Sequence, residues 1–465
     1  MSGSGSTLTS PQIDVGVNGK GNLNITSNGK VDSDYCYVAD QSGSTGKVTV
    51  SAGGNWSVGT LYLGFSGAGT LNISGGTVGC STSFLGFSGG SSTVSVDGGS
   101  SSWSTGSLYG GESGNATISI TNGGKVTSAF GSIGYCAGTT GTMTVSGSSS
   151  TWTVTGSMGI GVGGTGRLYI NGGGKVTAKY TSINAPSLLS IDASSANSLN
   201  GGDLTVLGTL TQTGGTVTIT SLTQSGGTAS FGGAQVLYSI PSVSISAGTT
   251  TFTADARKVL VASSLTLSGT GKLDLTKGGL LFHSTTANLS SDRAALQVDV
   301  NAGMLRSSLA STTTMLALMD GGDYLSRNGG TATFLGQPVT STDLLVRYTY
   351  AGDINFDGVV DLHDFRLMDA GYLAGYDGAA CVACWRDGDF SGDGIVDVSD
   401  FGLAVANISG TALGDEMHAL YANEFGATFA QTFDAAVPEP GSLSGLLVGA
   451  VSALILRRRR RSERH

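Results

Sequence analysis

Residues 64–78 read GFSGAGTLNISGGTV, and residues 86–103 read GFSGGSSTVSVDGGSSSW. Each stretch opens on glycine and an aromatic residue and passes through a run alternating apolar and polar side chains. Each closes on a glycine pair, with Val78 or Trp103 shortly after. Working outward, the plan recurs over the first 180 residues, with landmarks at Gly16, Ala39, Gly64, Gly86, Gly110, Gly134 and Gly161 spaced 23, 25, 22, 24, 24 and 27 apart. The alternating runs include Leu23-Asn24-Ile25, Val48-Thr49-Val50, Ile118-Ser119-Ile120 and Leu168-Tyr169-Ile170. Period 2 is the signature of a strand, and glycine tolerates the positive φ of a corner. A unit of roughly 20–30 residues suits one turn of a solenoid, with strands stacked about 4.8 Å apart around a continuous apolar column. The expectation is a mainly β protein built on a right-handed parallel β-solenoid with turns of about 24 residues.

The position after each glycine pair reads Val31, Trp56, Val78, Trp103, Val126, Trp152, Val176. Valine alternates with tryptophan, so the structural unit is a pair of turns. Packing inside a narrow column is the expected role of the indoles, since large aromatics bury well. A sugar-binding ladder on Trp56, Trp103 and Trp152 is the functional alternative.

Composition narrows the class. Glycine accounts for 77 of 465 residues, proline for only 6, and charged residues for 12%. No Gly-X-Y period runs through the chain, which excludes collagen. An apolar content of 39% with so little charge argues against plain disorder. A net charge of −9 offers no basic field for phosphates, so no nucleic-acid partner is expected. The repeats resemble the autotransporter/PEP-CTERM-associated repeat of bacterial surface proteins. That resemblance covers residues 14 to about 180 and implies a parallel β-helix on the cell exterior, with no chemistry of its own. Fainter repeats (LTVLGTLTQTGGTVTI, SVSISAGTTTFTAD, SLTLSGTGKLDL) predict further turns to about residue 290, then a helical or irregular stretch near 291–320.

A β-helix enzyme acting on polysaccharide needs carboxylates converging from neighbouring turns. The first 180 residues hold thirteen Asp, Glu, Lys or Arg and no histidine. Asp32, Asp34 and Asp40 form the one local carboxylate cluster, and Asp97 and Glu112 stand alone in their turns. Corner or solvent-facing acids are the expected reading, and no catalytic residue is assigned. None of the four histidines, His283, His363, His418 and His465, pairs with a recognisable nucleophile signature.

The strongest chemical motif begins at Asp353: DINFDGVVDLHD. Asp353, Asn355, Asp357, Asp361 and Asp364 take loop positions 1, 3, 5, 9 and 12. Gly358 makes the sharp turn at position 6, and Val359 offers its carbonyl at position 7. A second copy, DFSGDGIVDVSD, supplies Asp389, Ser391, Asp393, Asp397 and Asp400, with Gly394 at the turn and the Ile395 carbonyl. Calcium takes roughly 6–8 oxygens, and this spacing wraps them around one point. Two calcium sites are expected, and folding of this region should depend on the ion, because the acids otherwise repel one another. Phe365, Met368 and Tyr372 follow the first loop at helical spacing, and Phe401, Ala404, Val405 and Ile408 follow the second. Aspartate at both twelfth positions and the duplicated loop resemble a type I dockerin, of the kind found in planctomycete surface proteins, over about 345–410. The resemblance implies a small α-helical, EF-hand-like calcium domain that docks a cohesin-like or other surface protein. Positions 10 and 11 are Leu362-His363 and Val398-Ser399; only Ser399 matches the small hydroxyl residues of cellulosomal dockerins, which departs from ordinary cohesin binding. Cys381 and Cys384 form a CxxC pair without two further zinc ligands spaced for it, and a local disulfide or idle thiols are expected. Cys36, Cys80 and Cys136 fall at different places in their repeats and are expected to be buried.

The chain closes on VPEP, an uncharged stretch from Gly441 to Leu456, and an arginine cluster. Pro438, Glu439, Pro440, the apolar stretch and Arg457, Arg458, Arg459, Arg460 and Arg461 resemble the PEP-CTERM sorting signal. It implies export, a membrane-spanning helix as transient anchor, and an exosortase-type processing enzyme. A permanent tail anchor is the plain alternative. The first residues, MSGSGSTLTS, show neither a basic n-region nor an apolar h-region, so a misplaced start or truncated gene is expected. The segmentation is then 1–186 Gly-rich repeats, 187–348 further β-rich chain, 349–412 calcium module, 413–436 linker and 437–465 sorting signal. The functional expectation is a non-catalytic, exported cell-surface or matrix protein with an adhesive or structural role, in which an extracellular polysaccharide is a candidate partner. The alternative is a dockerin-bearing polysaccharide lyase or glycosidase.

Overall fold

A computed structural model describes residues 1–373, 384–391 and 398–407. It divides into two compact units, one of residues 1–253 with 260–274, the other of 254–259 with 275 onward.

The first unit is a parallel β-solenoid of about 12 turns. Each early turn contributes a nine-residue strand and a seven-residue strand, as in Lys30–Val38 with Thr45–Ser51 and Asn55–Leu63 with Ala68–Ser74. Each strand pairs with its counterpart one turn on. Lys30–Val38 lies parallel to Asn55–Leu63, which lies parallel to Thr77–Leu85. The ladder skips Asp34 and Gly59 between Ser33–Val58 and Tyr35–Thr60, which bends the longer strand.

Register turns the sequence period into a core. Val31, Trp56, Val78, Trp103, Val126, Trp152, Val176 and Leu199 align one above the next. The three indoles are 0% exposed, so they are core residues and the sugar-ladder alternative falls. Each takes roughly 150–250 Å² out of water, worth on the order of 4–6 kcal/mol at about 25 cal per Å². A second buried column runs through Val48, Leu71, Val94, Ile118, Met143 and Leu168. At one set of corners the next turn supplies the missing hydrogen-bond partner: Ser101 Oγ accepts from Gly75 N at 2.8 Å, Ser150 Oγ from Gly123 N at 3.0 Å, and Asn197 Oδ1 from Gly173 N at 2.7 Å.

The landmark corner is left-handed at Gly16, Ala39, Gly64, Gly86, Gly134 and Gly161. In the fifth repeat the left-handed residue is Gly111, whereas Gly110 ends the strand Ser102–Gly110 at the place Leu85 and Ile133 take in adjacent turns. The landmark therefore shifts by one residue, because either glycine of the pair can satisfy the pattern. Cys36 is buried, Cys80 and Cys136 are half-buried, and all three are free thiols. Cys381 and the side chain of Cys384 lie outside the described residues.

The parallel ladder ends at Lys272–Asp274, short of residue 290. In the second unit Asp343–Tyr350 is flanked by antiparallel Gly279–His283 and Thr314–Asp320. The stretch expected to be helical or irregular is helical over Leu289–Asn301 but a strand over Thr314–Asp320, where the apolar run MLALM forms the edge strand of the sheet, paired with Asp343–Tyr350. Helices Gly321–Asn328, Leu362–Leu373 and Val398–Val405 also belong to this unit. No described helix is long and apolar enough to cross a membrane.

Candidate metal site

Strand Asp343–Tyr350 leads directly into the first acidic loop. Gly352 takes φ +107° and Gly358 φ +95°, conformations that ordinary side chains adopt only at a cost. Between them the loop wraps, and its acids are tied to its own backbone. Asp353 Oδ2 accepts from Gly358 N at 3.1 Å, Asn355 Oδ1 from Asp357 N at 2.8 Å, Asp357 Oδ1 from Val359 N at 2.8 Å, and Asp361 Oδ1 from His363 N at 2.8 Å. Asp364 closes the ring: its Oδ1 accepts from Ile354 N at 2.9 Å and Asn355 N at 3.2 Å, and its Oδ2 from Asp361 N at 3.0 Å. Helix Leu362–Leu373 carries Asp364 in its first turn, and Phe365 and Met368 are buried at 1% exposure.

Three of the ligands expected from the sequence are buried, Asp353 at 0%, Asn355 at 5% and Asp364 at 1%, while Val359 is 47% exposed. Burial pushes the Asp353 carboxyl up to about 6 and that of Asp364 up to about 7, even though hydrogen bonds oppose the rise. Asp353 Oδ1 is buried and has no hydrogen-bond partner. An orphaned carboxylate oxygen costs several kcal/mol unless something compensates it. A hard cation would do so, held by Asp353, Asn355, Asp357 and Asp361 side chains, the Val359 carbonyl and Asp364. Among the described residues no three His, Cys, Asp or Glu, the four carboxylates of this loop included, are gathered as a group that could hold a metal ion; the carboxylates here are turned to the loop backbone instead.

The second loop repeats the frame. Gly388 takes φ +103° where Gly352 takes +107°. Asp400 Oδ1 accepts from Phe390 N and Ser391 N, both at 2.8 Å, as Asp364 does from Ile354 and Asn355. Asp389 is 6% exposed and Asp400 0%, and Ser391 Oγ donates to Asp389 Oδ1 at 3.3 Å. Asp393, Ile395 and Asp397 lie outside the described residues, as do Pro438, Glu439, Pro440 and Arg457 to Arg461.

The sequence reading missed the residues that grip the first loop. Thr349 Oγ1 donates to Asp353 Oδ2, Arg347 Nη1 to the Phe356 carbonyl, Asn328 Nδ2 to the Asn355 carbonyl at 2.7 Å, and Trp385 Nε1 to the Asp353 carbonyl at 2.8 Å. Arg347 and Thr349 share one strand face by period 2, the only signal the sequence held.

The solenoid carries two further surface features. A groove of about 550 Å³ crosses the strand bends of the first turns, lined by Asp32, Asp34, Ser57, Ser81 and Ser104. Asp40 and Glu112 are not among its lining residues. Elsewhere Tyr37, Tyr62, Phe84 and Tyr109 stack with centroids 4.9, 5.2 and 5.1 Å apart, and Phe65 and Phe87 meet them edge-on. These rings cover one another's faces, so the ladder packs against itself. Comparison with protein-family models, curated proteins and solved structures finds no match to this chain.

Proposed function

We propose that this chain is an exported, non-catalytic surface protein in which a β-solenoid is followed by a calcium-dependent, dockerin-like module that docks a cohesin-like or other surface protein. On this reading the solenoid is right-handed, as parallel β crossovers run, and the C-terminal segment is a PEP-CTERM signal that anchors the chain in the membrane until an exosortase-type enzyme processes it. The observation that carries the reading is Asp353 Oδ1, a buried carboxylate oxygen without a partner inside a loop whose other acids are already tied to the backbone. The duplicated acceptor role of Asp364 and Asp400 supports a second site. Calorimetric titration of the full chain with calcium tests it. Two binding events are expected, one lost in Asp353→Ala and the other in Asp389→Ala; heat and melting curves unchanged by both substitutions would overturn the reading.

The groove with Asp32 and Asp34 favours a second reading, a polysaccharide lyase or glycosidase. Turnover of pectin, alginate or a sulfated glycan that disappears in Asp32→Asn or Asp34→Asn would establish it in place of the first. An extracellular polysaccharide bound without turnover fits the structural role.

A further inference from the structure

The first loop sits beside a fixed cation. Arg347 stands six residues before Asp353. The strand places Arg347 with some precision. It is registered opposite Gly279 on one side and Ala317 on the other, so its side chain leaves the sheet on the face that also carries Thr349. From there Arg347 Nη1 donates to the carbonyl of Phe356 at loop position 4. Its Nη2 lies 2.9 Å from where a Cβ on Gly358 would stand, at position 6. Gly358 N is itself a donor to Asp353 Oδ2. The guanidinium therefore caps the tight turn of the loop from outside, and its charge is felt at Asp353, where it favours the ionised carboxylate.

We infer that Arg347 is a built-in counter-cation of the first loop, which partly offsets the charge of the buried Asp353 carboxylate when no metal is bound and weakens calcium binding there. The inference rests on the calcium reading above. Its physics is the competition of two cations for one anionic pocket. The guanidinium cannot lose its charge at any working pH. A divalent ion entering the loop must be held against that charge at short range, in surroundings less polar than water. Calcium arriving at loop 1 would then release the electrostatic demand on Arg347 and its strand, which ties ion binding to the sheet as well as to the loop.

The test uses the full chain carrying Asp389→Ala, so that only loop 1 titrates, with calcium alone as the probe. Arg347→Gln keeps a donor for the Phe356 carbonyl but removes the charge; Arg347→Lys keeps the charge. The expected result is calcium binding about tenfold tighter in Arg347→Gln and nearly unchanged in Arg347→Lys. A lower melting temperature in chelator and a larger rise on calcium addition are expected for the glutamine variant alone. Equal or weaker binding in Arg347→Gln, or equal tightening in both variants, would overturn the inference while leaving the calcium reading intact. Absence of calcium uptake by the parent chain at either loop would instead remove the calcium reading, and the inference with it.

Discussion

Gly131 leaves the space that the indole of Trp152 fills: a Cβ on Gly131 would stand 2.5 Å from Trp152 Cζ2 and 3.3 Å from Val154 Cγ2. Gly131 shares a turn with Val126, and Trp152 lies one turn on, above Val126. The alternation of valine and tryptophan is therefore matched elsewhere in the turn. Where the column narrows to valine, a small residue such as Ser83 or Gly131 stands opposite Leu108 or Met158 of the next turn. The pair of turns is the packing unit.

Gly131→Ala should destabilise the solenoid by about 1–3 kcal/mol through overpacking. The ring cannot swing away, because Trp152 is 0% exposed and its Nε1 donates to Ser128 Oγ at 3.3 Å. In a Trp152→Phe background, itself destabilised, adding Gly131→Ala should cost almost nothing. A double-mutant cycle by denaturant unfolding measures the coupling, and additive losses would show that the two residues do not compete for one space.

The landmark corner gives a prediction of opposite sign. Ala39 is a non-glycine residue at φ +57° and is fully buried. Ala39→Gly should stabilise the chain by roughly 1 kcal/mol, since it removes left-handed strain at some cost in chain entropy. At the equivalent Gly64 an added Cβ would fall 1.9 Å from the Ser91 carbonyl oxygen. Gly64→Ala should therefore cost about 3 kcal/mol or more, and melting of the two variants should bracket the parent chain.

These two cases also mark what the sequence could tell. The period and the Val/Trp alternation were legible because each repeat restates them, and register needs only that repetition. The phase at Gly110-Gly111 was not legible, because a glycine doublet does not say which member takes positive φ. With the phase set at Gly111, Tyr37, Tyr62, Phe84 and Tyr109 all stand two residues before a landmark, and the outer aromatic ladder emerges. The acids of the two acidic loops were legible from spacing alone, whereas Arg347, Thr349 and Asn328 were not. They come from a strand and a helix that only tertiary folding brings to the loop.

The thiols should be quiet at physiological pH. Desolvation at its half-buried site pushes Cys80 from 9.0 up to about 11; burial also raises Cys36, with Asp14 adding to the rise. At pH 8 the native chain should alkylate at Cys80 roughly a hundredfold more slowly than a free thiol, because the thiolate is the nucleophile. The sign for stability follows. The unfolded thiol ionises first, so this contribution is complete below about pH 9 and is lost as pH climbs towards 11. Mass-spectrometric mapping after timed iodoacetamide exposure checks this, and labelling of native Cys80 at the free-thiol rate would contradict it.

Asp364 and Asp357 should separate what the first loop needs for folding from what it needs for the ion. Asp364 is buried and accepts from three backbone N–H groups, those of Ile354, Asn355 and Asp361. Asp364→Ala leaves the Asn355 and Asp361 N–H groups without a partner, while Ile354 N keeps the Gly352 carbonyl at 2.9 Å, a loss of about 2 kcal/mol at roughly 1 kcal/mol each. That loss should be present in full when calcium is chelated. Asp357 is exposed, and its Oδ1 accepts from Val359 N. Asp357→Asn keeps the acceptor for Val359 N and removes the charge, but its amide NH2 replaces Oδ2, which accepts from Asn355 Nδ2 at 2.9 Å; its melting in chelator should lie within about 1 kcal/mol of the parent, while its calcium affinity falls. Paired melts in chelator and in calcium distinguish the two residues. Equal losses under both conditions for both variants would mean that the loop is held by its backbone network alone, and that the charge at Asp357 serves no ion.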